Sequence, residues 1–94
     1  MRAIGVFNRD GGTFKATDMD VFAARAREIF AAHGHDLDTR VVDSKSLMAE
    51  LQRAAGEAEL LVAGGGDGTI SAAAGIAYKY GIPLGVVPAG TMNL

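Results

Sequence analysis

The sequence predicts an α/β fold: a three-layer, open parallel sheet whose elements follow the order βαβαβαβ. Short apolar runs of strand length alternate along the chain with longer segments whose apolar residues recur at helical spacing. A helix between each pair of strands is the connection that parallel strands need, with right-handed crossovers. The third run, residues 60–63, is apolar throughout, as expected of a strand that is covered on both faces.

The chain is predicted to begin with a strand, a loop and a helix. Residues 3–7 form an apolar strand, and the polar, glycine-containing residues 8–13 form a loop. Thr17 or Asp18 is predicted to cap the first helix, and Gly34 to end it in a left-handed conformation. The apolar face of this helix is predicted to comprise Phe22, Ala26, Ile29, Phe30 and His33.

The second strand and second helix follow directly. Residues 37–42 are mixed in polarity, which favours a strand near an edge of the sheet. Ser44 is predicted to cap the second helix and Gly56 to close it. The buried face of this helix is predicted to comprise Leu47, Leu51, Ala54 and Ala55.

The last part of the chain repeats the alternation. After the third strand, residues 64–68 form a glycine-rich loop, and a third helix runs to about Gly81. Its predicted apolar face comprises Ile70, Ala73, Ala74 and Ala77. Residues 82–87 form a fourth strand, and residues 88–94 are typical of a turn that leads into a further helix, so we expect the chain to be part of a longer one.

Composition excludes several functional classes. The chain has 94 residues, a net charge of −2 and 49% hydrophobic residues, which argues against a disordered segment and against a nucleic-acid binder that works by basic charge. It has no cysteine, which excludes a disulfide scaffold and any cysteine-ligated metal site. Glycine is abundant, at 13 residues, and most of this excess lies in loops at predicted strand ends.

Those strand ends are the predicted site. Ligands of open parallel sheets bind at the carboxyl ends of the strands, and three such ends here carry glycine or asparagine. In residues 64–69, four glycines surround Asp67, so that the backbone could approach phosphate oxygens closely. A carboxylate beside phosphate is favourable if Mg²⁺ lies between them. Thr69 could bond the same phosphate or cap the following helix.

Two well-known phosphate-binding motifs do not match. No lysine follows these glycines, as a P-loop would need, and the third glycine of the dinucleotide fingerprint is replaced by Thr69. A structural explanation remains open from spacing alone, in which the glycines only allow a tight passage from a strand into an alanine-rich helix.

Two segments resemble a known family. Residues 65–69, Gly-Gly-Asp-Gly-Thr, match a signature shared by diacylglycerol-kinase-type lipid kinases and NAD kinases, with a close relative in phosphofructokinases. Residues 82–93 resemble the lipid-kinase segment PLGxxPxGTxN, whereas the GVNxGxxGF-like segment of NAD kinases is absent. The chain as a whole therefore resembles the N-terminal part of a diacylglycerol kinase catalytic domain, with a Rossmann-like fold.

This resemblance implies an ATP-dependent lipid kinase that uses ATP and Mg²⁺ and transfers the γ-phosphate to a lipid hydroxyl. Residues 1–94 would be its nucleotide-binding part, and a β-rich second domain carrying the glutamate base would lie beyond Leu94. Asp67 would hold the metal and take part in catalysis. The implied nucleotide-binding residues are Asn8, Gly65, Gly66, Asp67, Gly68, Thr69, Gly90 and Thr91.

The sequence departs from the family pattern at three places. Residues 8–12 read Asn-Arg-Asp-Gly-Gly where NPxSG is usual, a departure that bears on the assignment of Asn8. Ser71 and Ala72 stand where many members have Asn-Glu, and Val42 stands where some bacterial members have a nucleotide-contacting threonine.

The resemblance also carries expectations about partners and location. A lipid acceptor such as diacylglycerol is expected, nucleic acid is not, and the location would be cytoplasmic with peripheral contact at the inner membrane face. An isolated fragment is expected to be inactive and to self-associate through exposed sheet edges. Two alternatives stay open: a soluble-substrate kinase of the NAD kinase type, and a nucleotide-binding module without catalysis.

Overall fold

Four strands and three α-helices alternate along the chain in the predicted order. The computed structural model describes residues 1–88. The strands are β1 (Arg2–Asn8), β2 (Asp36–Val42), β3 (Leu60–Gly65) and β4 (Leu84–Pro88). The helices are α1 (Met19–Ala32), α2 (Leu47–Glu57) and α3 (Asp67–Tyr80), and a short 3₁₀ helix spans Gly12–Ala16.

The strands form one parallel sheet in the order β2-β1-β3-β4. The mixed-polarity strand β2 lies at an edge, as predicted, and the apolar strands β1 and β3 lie in the centre. In the register, Phe7 lies opposite Gly64, and Gly64 lies opposite Val87. All four strands therefore end at the same side of the sheet.

Helices cover both faces of the sheet, which confirms the three-layer α/β fold. One core lies between the sheet and α1 with the 3₁₀ helix, where Phe22 meets Phe7 and Phe14 edge-to-face at centroid distances of 5.4 and 4.8 Å. The other core lies between the sheet and the pair α2 and α3, and it contains Leu51, Leu61 and further aliphatic side chains. Across residues 1–88, no helix combines the length and the hydropathy that crossing a membrane requires.

The helix ends follow the predicted chemistry at three places. The carboxylate of Asp18 accepts hydrogen bonds from the backbone N–H groups of Asp20 and Val21 at 3.1 and 3.3 Å, so Asp18 is the cap of α1. Gly34 after α1 and Gly81 after α3 have φ values of +82° and +68°, which glycine adopts at little cost.

Three predicted boundaries are wrong, each for a local reason. Helix α2 begins after Ser46 rather than Ser44, because the side chain of Asp43 accepts the N–H of Ser46 and holds the preceding residues in a turn. Gly56 lies inside α2, which continues to Glu57. Strand β4 begins at Leu84, since Pro83 has no N–H to donate.

The predicted loop at residues 64–68 is also wrong in extent. Strand β3 continues through Gly64 and Gly65, and α3 already begins at Asp67, which leaves Gly66 alone between them. Glycine content suggested a loop, but pairing with β1 and β4 keeps both residues in the sheet.

The predicted apolar faces of α1 and α3 are partly wrong. Ile29 is 42% exposed and His33 is also exposed, because α1 buries a face centred on Phe22, Ala23 and Ala26. On α3, Ala74 is exposed, and the buried face instead includes Ile76.

An ionic cluster ties the edge strand β2 to α2. The guanidinium group of Arg40 contacts the carboxylates of Glu50, Glu57 and Asp38 at 2.8, 3.3 and 3.2 Å. The hydrogen bond to Glu50 is the main cause of the raised pKa of Arg40. This cluster fixes the strand whose carboxyl end contributes to the site.

Candidate functional site

The carboxyl ends of the strands bring three short connections together. Asn8 ends β1, Val42 ends β2 and Gly65 ends β3. The backbone N–H of Arg9 donates to the carbonyl of Val42 at 2.9 Å, and this bond joins the loop after β1 to the end of β2. Because all strands are parallel, these connections and the start of α3 form one edge, the predicted location of a ligand.

The last two residues of β3 are glycines because protein atoms occupy the space that a side chain would need. A Cβ atom on Gly64 would lie 2.7 Å from Cδ1 of Phe7 and 3.3 Å from Cε2 of Phe14. A Cβ atom on Gly65 would lie 2.8 Å from Oγ1 of Thr69, and the φ of Gly65 is +152°. Both glycines therefore serve close packing, which supports the structural explanation for this half of the glycine run.

The other half of the run begins α3 and has no such neighbours. Among residues 1–88, a Cβ atom on Gly66 or on Gly68 would meet no atom within 4 Å apart from its chain neighbours and the backbone of α3 itself. Gly66 is the N-cap residue, in an extended conformation, and no side chain caps the helix. Asp67 and Gly68 are exposed. Here the absence of side chains leaves open space in front of the backbone.

The start of α3 also presents backbone donors that have no partner within the helix. The N–H of Ile70 donates to the carbonyl of Gly66 at 3.1 Å, the first i to i−4 hydrogen bond of the helix. The N–H groups of Asp67, Gly68 and Thr69 precede that bond and have no partner within the helix. Free N–H groups and the positive end of the helix dipole favour an anion at this position.

Asn8 is the centre of a buried hydrogen-bond network at this edge, with only 6% of its surface exposed. Its Nδ2 group donates to Oγ1 of Thr69 at 3.1 Å and to Oγ of Ser44 at 3.4 Å. Its Oδ1 atom accepts the backbone N–H of Asp10 at 3.0 Å. One side chain therefore links the connections that follow β1, β2 and β3.

Acidic residues of the first two connections reinforce these links. The carboxylate of Asp10 accepts the backbone N–H of Ser44 at 2.9 Å. Asp43 lies 3.8 Å from the guanidinium group of Arg9, and the hydrogen bonds from Ser46 hold the pKa of Asp43 below its usual value. Both carboxylates are thus occupied by the protein's own donors.

Six of the eight implied site residues lie together at this edge, namely Asn8 and the residues from Gly65 to Thr69. Gly90 and Thr91 lie outside the described residues. Ser44 and Asp10 were missed as members of the network. Their signal in the sequence is weak, because a serine and an aspartate after predicted strands are ordinary turn residues.

Within residues 1–88, no group of three or more His, Asp or Glu side chains converges to hold a metal ion. The exposed carboxylate of Asp67, in the first turn of α3, is the only acidic group of the glycine run. A magnesium ion here would therefore take one protein carboxylate and draw its other ligands from phosphate and water.

Comparisons with known proteins identify the family and the fold of the chain. A sequence model of the diacylglycerol kinase catalytic domain matches residues 2–94. An uncharacterized protein of Synechocystis sp. is 52% identical over 33 residues, which are 35% of this chain and 8% of that protein. The fold is similar to the crystal structure of "a putative diacylglycerol kinase from Bacillus anthracis str. Sterne", with a TM-score of 0.67 and 22% identity. That similarity covers 98% of this chain and 32% of the other, so the chain spans about a third of its structural relative.

Proposed function

Because the chain belongs to the diacylglycerol kinase catalytic domain family, we propose that it supplies the phosphate-binding edge of an ATP-dependent lipid kinase. The reaction transfers the γ-phosphoryl group of ATP to a lipid hydroxyl. The observation that carries the proposal is the start of α3, which no side chain of residues 1–88 caps and where Gly66 and Gly68 leave space among those residues in front of N–H groups without a helical partner.

The backbone at the start of α3 has the properties that phosphate binding needs. Phosphoryl transfer depends mainly on positioning and on stabilising negative charge. The N–H groups of Asp67, Gly68 and Thr69 point out of a rigid helix, so they would need little rearrangement to receive phosphate oxygens. Gly66 and Gly68 let those oxygens come close, since no side chain stands in front of them.

Asp67 is the residue that we assign to Mg²⁺. Its carboxylate is exposed in the first turn of α3, where the carboxylate oxygens suit a hard cation and the neighbouring N–H groups suit the phosphate oxygens that share it. When bound, MgATP supplies the phosphoryl group for transfer. Asp67 would orient the metal or its water ligands, and the helix N-terminus would hold the phosphates.

The remaining parts of the reaction are assigned to other residues of the protein. The family places the base that activates the lipid hydroxyl in a second domain, and the structural relative is about three times as long as this chain. We propose a lipid such as diacylglycerol as acceptor and a protein that works at the inner face of the membrane.

Substitution of Asp67 by Asn in the full-length protein tests this proposal. We expect ATP-dependent phosphorylation of a lipid extract to fall by at least about 100-fold, because a neutral amide holds Mg²⁺ poorly. Asp20→Asn is the matched control, since Asp20 also lies in the first turn of a helix but in α1. It should leave the rate unchanged.

The choice of acceptor separates the proposal from the NAD-kinase alternative. The same radiolabelled ATP is supplied with lipid extract in one reaction and with NAD in another, and label is expected in lipid alone. Label in NAD would show a soluble-substrate kinase, and full activity of the Asp67→Asn variant would remove Asp67 from the site.

A further inference from the structure

We infer that Asn8 and Thr69 are a pair of positioning residues that hold the phosphate-facing edge in shape, and that their side chains do not bind the nucleotide. This inference rests on the proposed function, because it concerns how the same edge is built. It differs from the residue roles that the family resemblance implies, in which Thr69 would bind phosphate oxygens and Asn8 would belong to the nucleotide site beside it.

The hydrogen bonds of Asn8 leave it no donor for a phosphate. Asp10 N–H can only donate, so the atom that it contacts must be the carbonyl oxygen Oδ1, which fixes the orientation of the amide. The two N–H groups of Nδ2 then face Thr69 and Ser44. Phosphate oxygens need donors, and the remaining lone pair of Oδ1 would repel them.

Thr69 is occupied in a similar way. Its side chain is buried, with 4% of the residue exposed, and its hydroxyl oxygen accepts the hydrogen bond from Asn8. The same side chain fills the space beside the backbone of Gly65, where a Cβ atom would lie 2.8 to 3.0 Å from it. The hydroxyl of Thr69 therefore lies against Asn8 and Gly65 inside the protein, and we assign its contact with a ligand to the backbone N–H at the start of α3.

The pair fixes the position of the connection after β1 relative to the start of α3. A Cβ atom on Gly11 would lie only 3.0 Å from the backbone nitrogen of Gly66, so the two connections are in direct contact. The Asn8–Thr69 hydrogen bond joins the same two connections through side chains. The bond from Asn8 to Ser44 adds the connection that follows β2. Losing the bond should let the first connection shift and disturb the N–H groups that meet the phosphates.

A double-mutant cycle in the full-length protein tests the pair. The variants are Asn8→Ala, Thr69→Val and the double substitution, with Thr69→Ser as the conservative variant that keeps the hydroxyl. The measurements are KM for ATP, kcat, and the urea midpoint of unfolding. Residues in contact give non-additive effects, whereas independent ligand contacts add.

Each single substitution is expected to raise KM for ATP by about tenfold, and the double substitution by no more than about twofold beyond that. Thr69→Ser should stay within about twofold of wild type, because its hydroxyl still accepts the bond. A KM increase of about 100-fold in the double variant would show independent contacts and overturn the inference. Lower urea midpoints with unchanged KM values would mean a purely structural pair and would overturn it as well.

A measurement on the unmodified protein keeps the test open if a variant does not fold. In ¹⁵N-labelled protein, ATP addition should shift the backbone amides of Asp67 and Gly68 strongly and the side-chain amide of Asn8 weakly. The reverse order would place Asn8 against the nucleotide and contradict the inference. A wild-type protein that neither binds nor uses ATP would instead refute the proposed function, and the positioning role with it.

Discussion

The two halves of the glycine run at the end of β3 are both rich in glycine, but their surroundings differ. Gly64 and Gly65 are buried, and Phe7, Phe14 and Thr69 fill the space beside them. A side chain on Gly66 or Gly68 would instead enter space that no neighbouring element of residues 1–88 occupies. The first half therefore allows β3 to pack closely, and the second half leaves space for a ligand at the carboxyl edge of the sheet.

Two helix N-termini show the same contrast. At α1, the side chain of Asp18 accepts two backbone N–H groups. At α3, Gly66 occupies the equivalent position, and in the described part of the chain no side chain caps the helix. A helix start that lacks a side-chain cap leaves its donors for water or for a ligand. Helix α2 also begins without a side-chain cap, so the missing cap supports a ligand-binding role for α3 only together with the open space at Gly66 and Gly68, whereas the capped start of α1 has a structural role.

The largest effect is expected for Gly65→Ala. The substitution combines a φ of +152°, which alanine rarely adopts, with contacts under 3.0 Å to Thr69, and should cost about 3 kcal/mol in unfolding free energy. Gly34→Ala is the matched control, because Gly34 also has a positive φ but no atom within 4 Å. It should cost only about 1 kcal/mol. Equal losses in urea unfolding would show that the contact with Thr69 contributes nothing.

A smaller loss of stability is expected for Asp18→Ala. Removing the cap leaves the N–H groups of Asp20 and Val21 without the carboxylate, at a cost of about 1 kcal/mol. ATP affinity should not change, since the cap serves α1 alone. A weaker ATP affinity in this variant would show that the two helix starts are coupled, and the contrast between them would then fail.

The smallest effect on stability is expected for Gly66→Ser. Gly66 has φ −81° and ψ −174°, which serine adopts readily, and a serine cap differs from a glycine cap by only a few tenths of a kcal/mol. The new hydroxyl would accept an N–H group of α3 and occupy the space in front of it. Unfolding should therefore be nearly unchanged while ATP affinity falls, and an unchanged affinity would argue against phosphate at this helix start.

The sequence predicted the architecture because the local signals agree with the packing. Asp18, Gly34 and Gly81 act at helix ends as their types suggest, and the mixed polarity of β2 places it at an edge. The extent of β3 was not predictable, because a glycine in a strand and a glycine in a loop look alike until the neighbouring strands are known.

The hydrogen-bond network of the site could not be predicted from the sequence either. The hydrogen bonds of Asn8 join residues that lie 36 and 61 positions apart, and only the parallel sheet brings them together. A motif match places Asn8 and Thr69 at the edge but does not say which way their side chains face. The direction follows from burial, which local patterns do not report.

The most direct test of the account compares Gly68→Ala with Gly75→Ala in the full-length protein. Both glycines lie in α3, where a new Cβ would meet nothing within 4 Å in residues 1–88 beyond its chain neighbours and the helix backbone, and Gly75 lies further along the helix. Either substitution should leave stability unchanged or raise it by up to about 1 kcal/mol, through helix propensity. We predict that Gly68→Ala weakens the measured affinity for MgATP by about tenfold, about 1.4 kcal/mol, while Gly75→Ala leaves it unchanged. Equal affinities for MgATP in the two variants would contradict a phosphate site at the start of α3.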